Sequence, residues 1–111
     1  QDPQVAVKTM TCLRELIWLA GRSGAHVIVA QHATVPEING EPQSGHAVIR
    51  TTVRQMGIEP IDCLEAFQAS VRNGVNPYRD WIHPNVAGQQ VLAEILFAPL
   101  HEAASARLLK R

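Results

Sequence analysis

The run Ala25–Ala30 constrains the fold of this chain more than any other segment. Its centre is Val27-Ile28-Val29, and polar and apolar residues do not alternate along it. β-Branched residues favour strands, and a strand without polar alternation is typical of a parallel sheet that helices cover on both faces. We therefore predict a strand here that is buried on both faces.

Helical patterns lie on both sides of this strand. Asp2 and Pro3 predict a helix start, because an N-cap acceptor is followed by a residue whose missing N–H is tolerated at the first helical position. Apolar residues then recur every three or four positions, which predicts a helix over residues 3–22. The other predicted elements are a helix over residues 46–56, a short strand over 58–62, a helix over 85–98 that Pro99 interrupts, and an extra helix or tail over 99–111.

The length and the strand count together predict an incomplete domain. The chain has 111 residues, which is enough for one small domain. Two strands leave open sheet edges and uncovered helix faces, so they do not make a complete α/β fold. We predict that residues 1–111 form a single partial domain, with an N-terminal half or a partner chain completing it.

The charge balance narrows the classes of partner. Ten basic and ten acidic residues give a formal net charge of +0. A neutral chain has no long-range field that attracts polyanions, so nucleic acid is not an expected partner. No apolar run approaches the roughly 18 residues that a membrane-spanning helix needs, so no membrane span is expected.

The segment Asp80 to Gly88, which reads D-W-I-H-P-N-V-A-G, has the chemistry of a catalytic loop. Pro84 biases His83 toward an extended conformation and starts the helix behind it. The carboxylate of Asp80 can fold back onto one imidazole nitrogen of His83, which leaves the other nitrogen outward as a general base requires. The same spacing also suits an ion pair that only stabilises the loop. The catalytic interpretation is favoured because the expected supporting residues follow at the expected positions: Pro84, Asn85 and Gly88.

This D-x-x-H-P-N-x-x-G segment resembles the last motif block of the SGNH/GDSL hydrolases, and residues 57–64 resemble the strand before it. The resemblance implies the second half of a flavodoxin-like SGNH domain, an α/β fold in which a parallel sheet lies between helices in three layers (α/β/α). It implies a serine ester hydrolase of the esterase, lipase or acetylesterase type, with no cofactor and no metal. His83 would be the general base, Asp80 its orienting carboxylate, and the substrate a small-molecule, carbohydrate or lipid ester.

The nucleophile of such a hydrolase has no counterpart in this sequence. The family carries its serine in a Gly-Asp-Ser block and its oxyanion donors in further blocks, and none of these blocks is present. Ser44 is the one serine between a strand and a helix, and its simpler role is N-cap of that helix. We therefore expect the serine and the oxyanion donors to lie outside this chain, and the chain alone to be inactive.

Other residues near the expected site have alternative roles. His32 and Ser44 belong to the long loop after the first strand and are candidate substrate-loop residues. A zinc site from His32, His46, His83 and Asp80 is not favoured, because the ligand spacing is loose. Trp81 suits either a substrate wall or the core, and we expect core packing. Cys12 and Cys63 are either two core thiols or a disulfide.

A noncatalytic function is the main alternative. A chain that kept the fold and lost the chemistry would be a binding or assembly module, and its open sheet edges and helix faces would be the interface.

Overall fold

The computed structural model describes residues 2–109, which excludes residues 110 and 111 of the predicted tail. Helices account for 64% of the structure, and the two strands are short and parallel. The prediction of a three-layer α/β/α parallel sheet, as in the second half of an SGNH domain, is therefore wrong. The elements in chain order are α1 (Pro3–Arg22), β1 (Ala30–Gln31), α2 (Val35–Ile38), α3 (Ser44–Gln55), β2 (Ile61–Asp62), α4 (Leu64–Arg72) and α5 (Val86–Leu109).

The predicted first strand, Ala25–Ala30, is much shorter in the structure. Only Ala30–Gln31 forms a strand, and its single neighbour in the two-stranded sheet is β2. The N–H of Ile61 donates to the carbonyl of Val29 at 2.8 Å, and the N–H of Cys63 donates to the carbonyl of Gln31 at 3.1 Å. A β-branched run becomes a strand only where another backbone pairs with it, and the described residues provide no partner for residues 25–28.

The chain divides into two compact units, of which the first comprises Gln1–Val29 and Gln43–Ile61. Helix α1 begins as predicted, because the side chain of Asp2 accepts from the N–H of Gln4 at 2.9 Å and Pro3 follows it. It ends at Arg22, before Gly24, whose φ of 88° lies in the left-handed region. α1 packs on α3, and this unit buries Ile17 and Val53. The prediction of a helix over residues 3–22 is confirmed.

The second unit comprises Ala30–Pro42 and Asp62–Arg111, and its described part contains α2, α4 and α5. Its core is Cys63, Phe67 and Tyr78, all buried. Phe67 belongs to α4, and apolar side chains from α2 and α5 pack around this core: Val35, Ile38, Val91, Leu92 and Ile95. Tyr78 lies in the segment 73–85, which connects α4 to α5, so this segment contributes a side chain directly to the core.

Helix α5 does not stop at the predicted position. It continues through Pro99 to Leu109. An interior proline removes one helical hydrogen bond and bends the axis, but it does not prevent the helix from resuming. The residues after it include Ala103, Ala104 and Ala106, which have the strongest helix preference. Of the helices among residues 2–109, none combines the length and the apolar character needed to cross a membrane.

The two cysteines are free thiols. Cys63 is buried in the core of the second unit, as expected for a core thiol, and its burial raises the pKa of the thiol. Cys12 is exposed on α1 and is also free, so neither alternative, a core thiol or a disulfide, describes Cys12.

Candidate functional site

Backbone hydrogen bonds close the loop that carries Asp80 and His83. The N–H of Arg79 donates to the carbonyl of His83 at 2.8 Å, and the N–H of Asn85 donates to the carbonyl of Pro77 at 3.0 Å. These bonds place Tyr78 and Pro84 opposite each other as an isolated antiparallel bridge. Because both ends of the loop are tied together, residues 79–83 form a short, defined turn on the surface of the second unit.

Asn85 joins the loop to α5 and caps that helix. Its side-chain oxygen accepts from the N–H of Gly88 at 3.0 Å, which is the bond of an N-cap residue. Its side-chain amide donates to the carbonyls of Asn76 at 2.8 Å and Tyr78 at 3.2 Å. An asparagine is suited to this position because its amide both accepts and donates.

Gly88 lies where no side chain fits. A Cβ atom at this position would come within 2.1 Å of the carbonyl oxygen of Pro77 and 2.8 Å of Cβ of Pro84. The first turn of α5 therefore approaches the loop backbone as closely as a glycine allows. Pro84, Asn85 and Gly88 thus support the loop through direct contacts.

Asp80 holds His83 through both of its carboxylate oxygens. Oδ2 lies 2.8 Å from Nδ1 of His83. Oδ1 accepts from the backbone N–H of His83 at 2.7 Å and from that of Ile82 at 3.0 Å. The carboxylate is therefore fixed by three hydrogen bonds within four residues.

These hydrogen bonds keep Asp80 ionised. The backbone N–H of His83 contributes most, the N–H of Ile82 and the imidazole follow, and together they hold the pKa of the Asp80 carboxyl well below its usual range. An acceptor without a proton requires a donor opposite it, so Nδ1 of His83 carries a hydrogen. In the neutral ring, Nε2 is then the unprotonated nitrogen.

The Nε2 nitrogen of His83 is open to a reactant. The side chain is 63% exposed and that of Asp80 is 42% exposed. Among residues 2–109, Nε2 of His83 has no hydrogen-bond partner. The pair thus has the orientation of a general base, with the carboxylate behind the ring and the basic nitrogen facing outward.

His32 lies in the second unit, but it does not lie open in a long loop. Its ring meets Phe67 edge-on with centroids 5.1 Å apart, and it is 5.9 Å from the ring of Tyr78. Its Nε2 hydrogen-bonds to the carbonyl of Ile82. His32 therefore contacts the backbone of the loop that carries Asp80 and His83, while its substrate-loop role stays a prediction.

Ser44 belongs to the first unit and is the first residue of α3, where it is exposed. The N-cap of α3 is Gln43, so the predicted capping role of Ser44 is wrong. Its candidate role in the substrate loop stays a prediction. In the second unit, Ser70 donates to the carbonyl of Val75 within hydrogen-bond distance (2.9 Å), and Ser105 lies on α5.

Trp81 is 63% exposed, so the expectation that it packs in the core is wrong. The indole lies on the surface of the second unit, two residues before His83. The backbone carbonyl of Trp81 accepts from the N–H of Val35 at 2.9 Å, and the N–H groups of Ile82 and His83 donate to Asp80.

Tyr78 is a structural residue of the site that the sequence did not indicate. Its hydroxyl donates to the carbonyl of Ala33 at 2.6 Å, and burial raises its pKa to about 12, with smaller contributions from Glu37 and Cys63. The dipeptide Asn76-Pro77 indicates the turn before Tyr78, because the Asn76 side chain accepts from the N–H of Tyr78 at 3.0 Å. Nothing local indicated the contact with Ala33, which is 45 residues away.

Within residues 2–109, no group of three or more His, Cys, Asp or Glu side chains could hold a metal ion. The chain matches no protein-family model, no curated protein and no solved structure.

Proposed function

We propose that this chain supplies the general base of a serine ester hydrolase, with His83 as the base and Asp80 as its orienting carboxylate. The observation that carries this proposal is the double attachment of Asp80, which binds Nδ1 of His83 with one oxygen and the loop backbone with the other. An ion pair that only braced a loop would not need an exposed, unpartnered Nε2 on the far side of the ring.

The reaction follows from this orientation. Nε2 of His83 takes the proton of a serine hydroxyl as that oxygen attacks the ester carbonyl, and the imidazolium then gives the proton to the departing alcohol. Asp80 is ionised and stabilises the imidazolium between the two steps. Water attacks the acyl-serine in the same way and releases the carboxylic acid. The proposed substrate is a small-molecule, carbohydrate or lipid ester.

The nucleophilic serine and the oxyanion donors are proposed to come from polypeptide outside this chain. The sequence contains no Gly-Asp-Ser block. In the second unit, neither Ser70 nor Ser105 hydrogen-bonds to His83 among the described residues. A general base without its nucleophile retains little activity, so this chain alone is expected to hydrolyse esters at a negligible rate.

Complementation tests the proposal. The polypeptide encoded directly before Gln1 is co-expressed with this chain, and the hydrolysis of p-nitrophenyl acetate is measured together with labelling by a fluorophosphonate. We expect hydrolysis and a labelled serine. His83→Ala should lower kcat by about 10²–10⁴-fold, the usual contribution of a general base.

His26→Ala is the matched control, because His26 is an exposed histidine of the first unit. It should leave the rate unchanged. A complemented protein that neither hydrolyses the ester nor reacts with the fluorophosphonate contradicts the proposal.

A binding or assembly module is the second candidate. It is favoured by large apolar side chains that are at least half exposed, among them Leu16, Leu19, Phe97 and Leu108. The module interpretation replaces the hydrolase interpretation if the complemented protein is inactive but the two polypeptides co-purify. In that case the double variant Leu16→Ser, Leu19→Ser should abolish co-purification.

A further inference from the structure

Three hydrogen bonds join the segment 32–35 to the segment 78–82, which contains most of the loop that carries Asp80 and His83. Tyr78 donates its hydroxyl to the carbonyl of Ala33, and the N–H of Val35 donates to the carbonyl of Trp81. The third bond joins Nε2 of His32 to the carbonyl of Ile82. Of the three bonds, this is the one in which an imidazole ring binds the backbone directly before His83.

The His32 ring makes this bond at a cost. Because Nε2 faces a carbonyl oxygen, it must carry a hydrogen, and in a neutral ring Nδ1 is then an acceptor. Nδ1 is buried and has no hydrogen-bond partner among residues 2–109. A buried polar atom without a partner costs about 1–3 kcal/mol. An aromatic hydrocarbon ring against Phe67 and Tyr78 would avoid that cost, so packing alone does not account for a histidine here.

The carbonyl that His32 binds belongs to the same peptide group as the N–H of His83. That N–H donates to Oδ1 of Asp80 at 2.7 Å, which is the shortest hydrogen bond to this carboxylate. The two ends of a trans peptide group point in opposite directions, so His32 and Asp80 hold one peptide plane from its two sides. A hydrogen bond to the carbonyl also polarises the peptide and strengthens its N–H as a donor.

We propose that His32 is a positioning residue for the Asp80–His83 pair, acting through the Ile82–His83 peptide. The hydrogen bonds run from Nε2 of His32 to the Ile82 carbonyl, from the His83 N–H to Oδ1 of Asp80, and from Oδ2 to Nδ1 of the His83 ring. The catalytic meaning of this relay rests on the proposed function, whereas the relay itself can be measured without any activity.

Two substitutions separate the hydrogen bond from the packing. His32→Phe keeps an aromatic ring against Phe67 and removes the donor. His32→Gln places an amide nitrogen the same number of bonds from Cα as Nε2 and restores the donor. The readout is the pKa of the Asp80 carboxyl, from an NMR titration of its carbon, since the His83 N–H contributes most to lowering that pKa.

His32→Phe should shift the pKa of Asp80 upward, and His32→Gln should return it to the wild-type value. In the complemented hydrolase, His32→Phe should lower kcat by about 10²-fold with little change in KM, because the base is misplaced rather than removed. Equal Asp80 pKa values in wild type and in folded His32→Phe would overturn the proposal.

A measurement on the unaltered chain covers the case in which His32→Phe does not fold. A scalar coupling across the hydrogen bond is expected between ¹⁵Nε2 of His32 and the carbonyl ¹³C of Ile82, and its absence would equally overturn the proposal. An inactive complemented protein leaves the coupling and the Asp80 titration unaffected. Failure of the relay and failure of the hydrolase assignment are therefore distinguishable.

Discussion

Gly88→Ala tests the close contact between α5 and the loop that carries Asp80 and His83. The new Cβ would lie 2.1 Å from the carbonyl oxygen of Pro77, and that oxygen is backbone and cannot rotate away. Pro77 is itself fully buried, and its carbonyl accepts from the N–H of Asn85 at 3.0 Å. Relieving the overlap therefore requires the start of α5 to separate from the loop.

The change in the free energy of unfolding is the sum of two destabilising contributions and one stabilising contribution. Overpacking costs about 1–3 kcal/mol, and loss of the Asn85–Pro77 hydrogen bond costs about 0.5–1.5 kcal/mol. Alanine gains about 1 kcal/mol over glycine from helix preference. We expect Gly88→Ala to lower the free energy of unfolding by about 0.5–3.5 kcal/mol, the sum of these contributions.

Urea unfolding followed by circular dichroism measures this change. Gly45→Ala is the matched control, because Gly45 also lies in the first turn of a helix, but a Cβ added there would meet no atom within 4 Å. It should raise the urea midpoint or leave it unchanged. A Gly88→Ala protein that is as stable as Gly45→Ala would refute the close-contact interpretation.

Three further predictions concern titration and helix continuity. Tyr78 is the one tyrosine of the chain, so absorbance at 295 nm should show a single titration near pH 12 in the folded protein and at about pH 10 in urea. The contribution of Tyr78 to stability should be intact below about pH 10 and decline as the pH rises through 12. A folded-state transition near pH 10 would contradict this prediction. The pKa of Asp80 is lower in the folded state than in the unfolded state, so its contribution to stability is present above about pH 4 and is lost as the pH falls further. Wild type should therefore exceed Asp80→Asn in urea midpoint at pH 7, with a gap that closes below about pH 4; a constant gap would argue against the hydrogen bonds to the carboxylate. Pro99→Ala should stabilise α5 by up to about 3 kcal/mol and raise its helical circular dichroism, and a loss of helix would show that Pro99 is needed at its position.

The elements that the sequence predicted well are those with local causes. The start of α1 depends on Asp2 and Pro3, which are adjacent, and its end depends on Gly24 close to the last turn. The Asp80–His83 hydrogen bond joins residues three positions apart, so spacing and loop chemistry were enough to predict it. The structure leaves the catalytic roles of the two residues as proposals.

The elements that the sequence predicted badly depend on distant partners. The run Ala25–Ala30 has strand preference, but a strand forms only where a second backbone pairs with it, and pairing is not encoded in the run itself. Pro99 indicates a helix end locally, yet the alanine-rich segment behind it lets α5 resume. The contact of His32 with Ile82 spans 50 residues, so no spacing rule could have predicted it.

The tautomer of His83 tests the central claim most directly. Nitrogen NMR of the imidazole, recorded at a pH where the ring is neutral, distinguishes a hydrogen on Nδ1 from one on Nε2. With Oδ2 of Asp80 at 2.8 Å from Nδ1, we predict the Nδ1–H tautomer in the wild type and a loss of this preference in Asp80→Leu. A neutral His83 with its hydrogen on Nε2 would contradict the account, because that nitrogen could not then accept a proton from a serine.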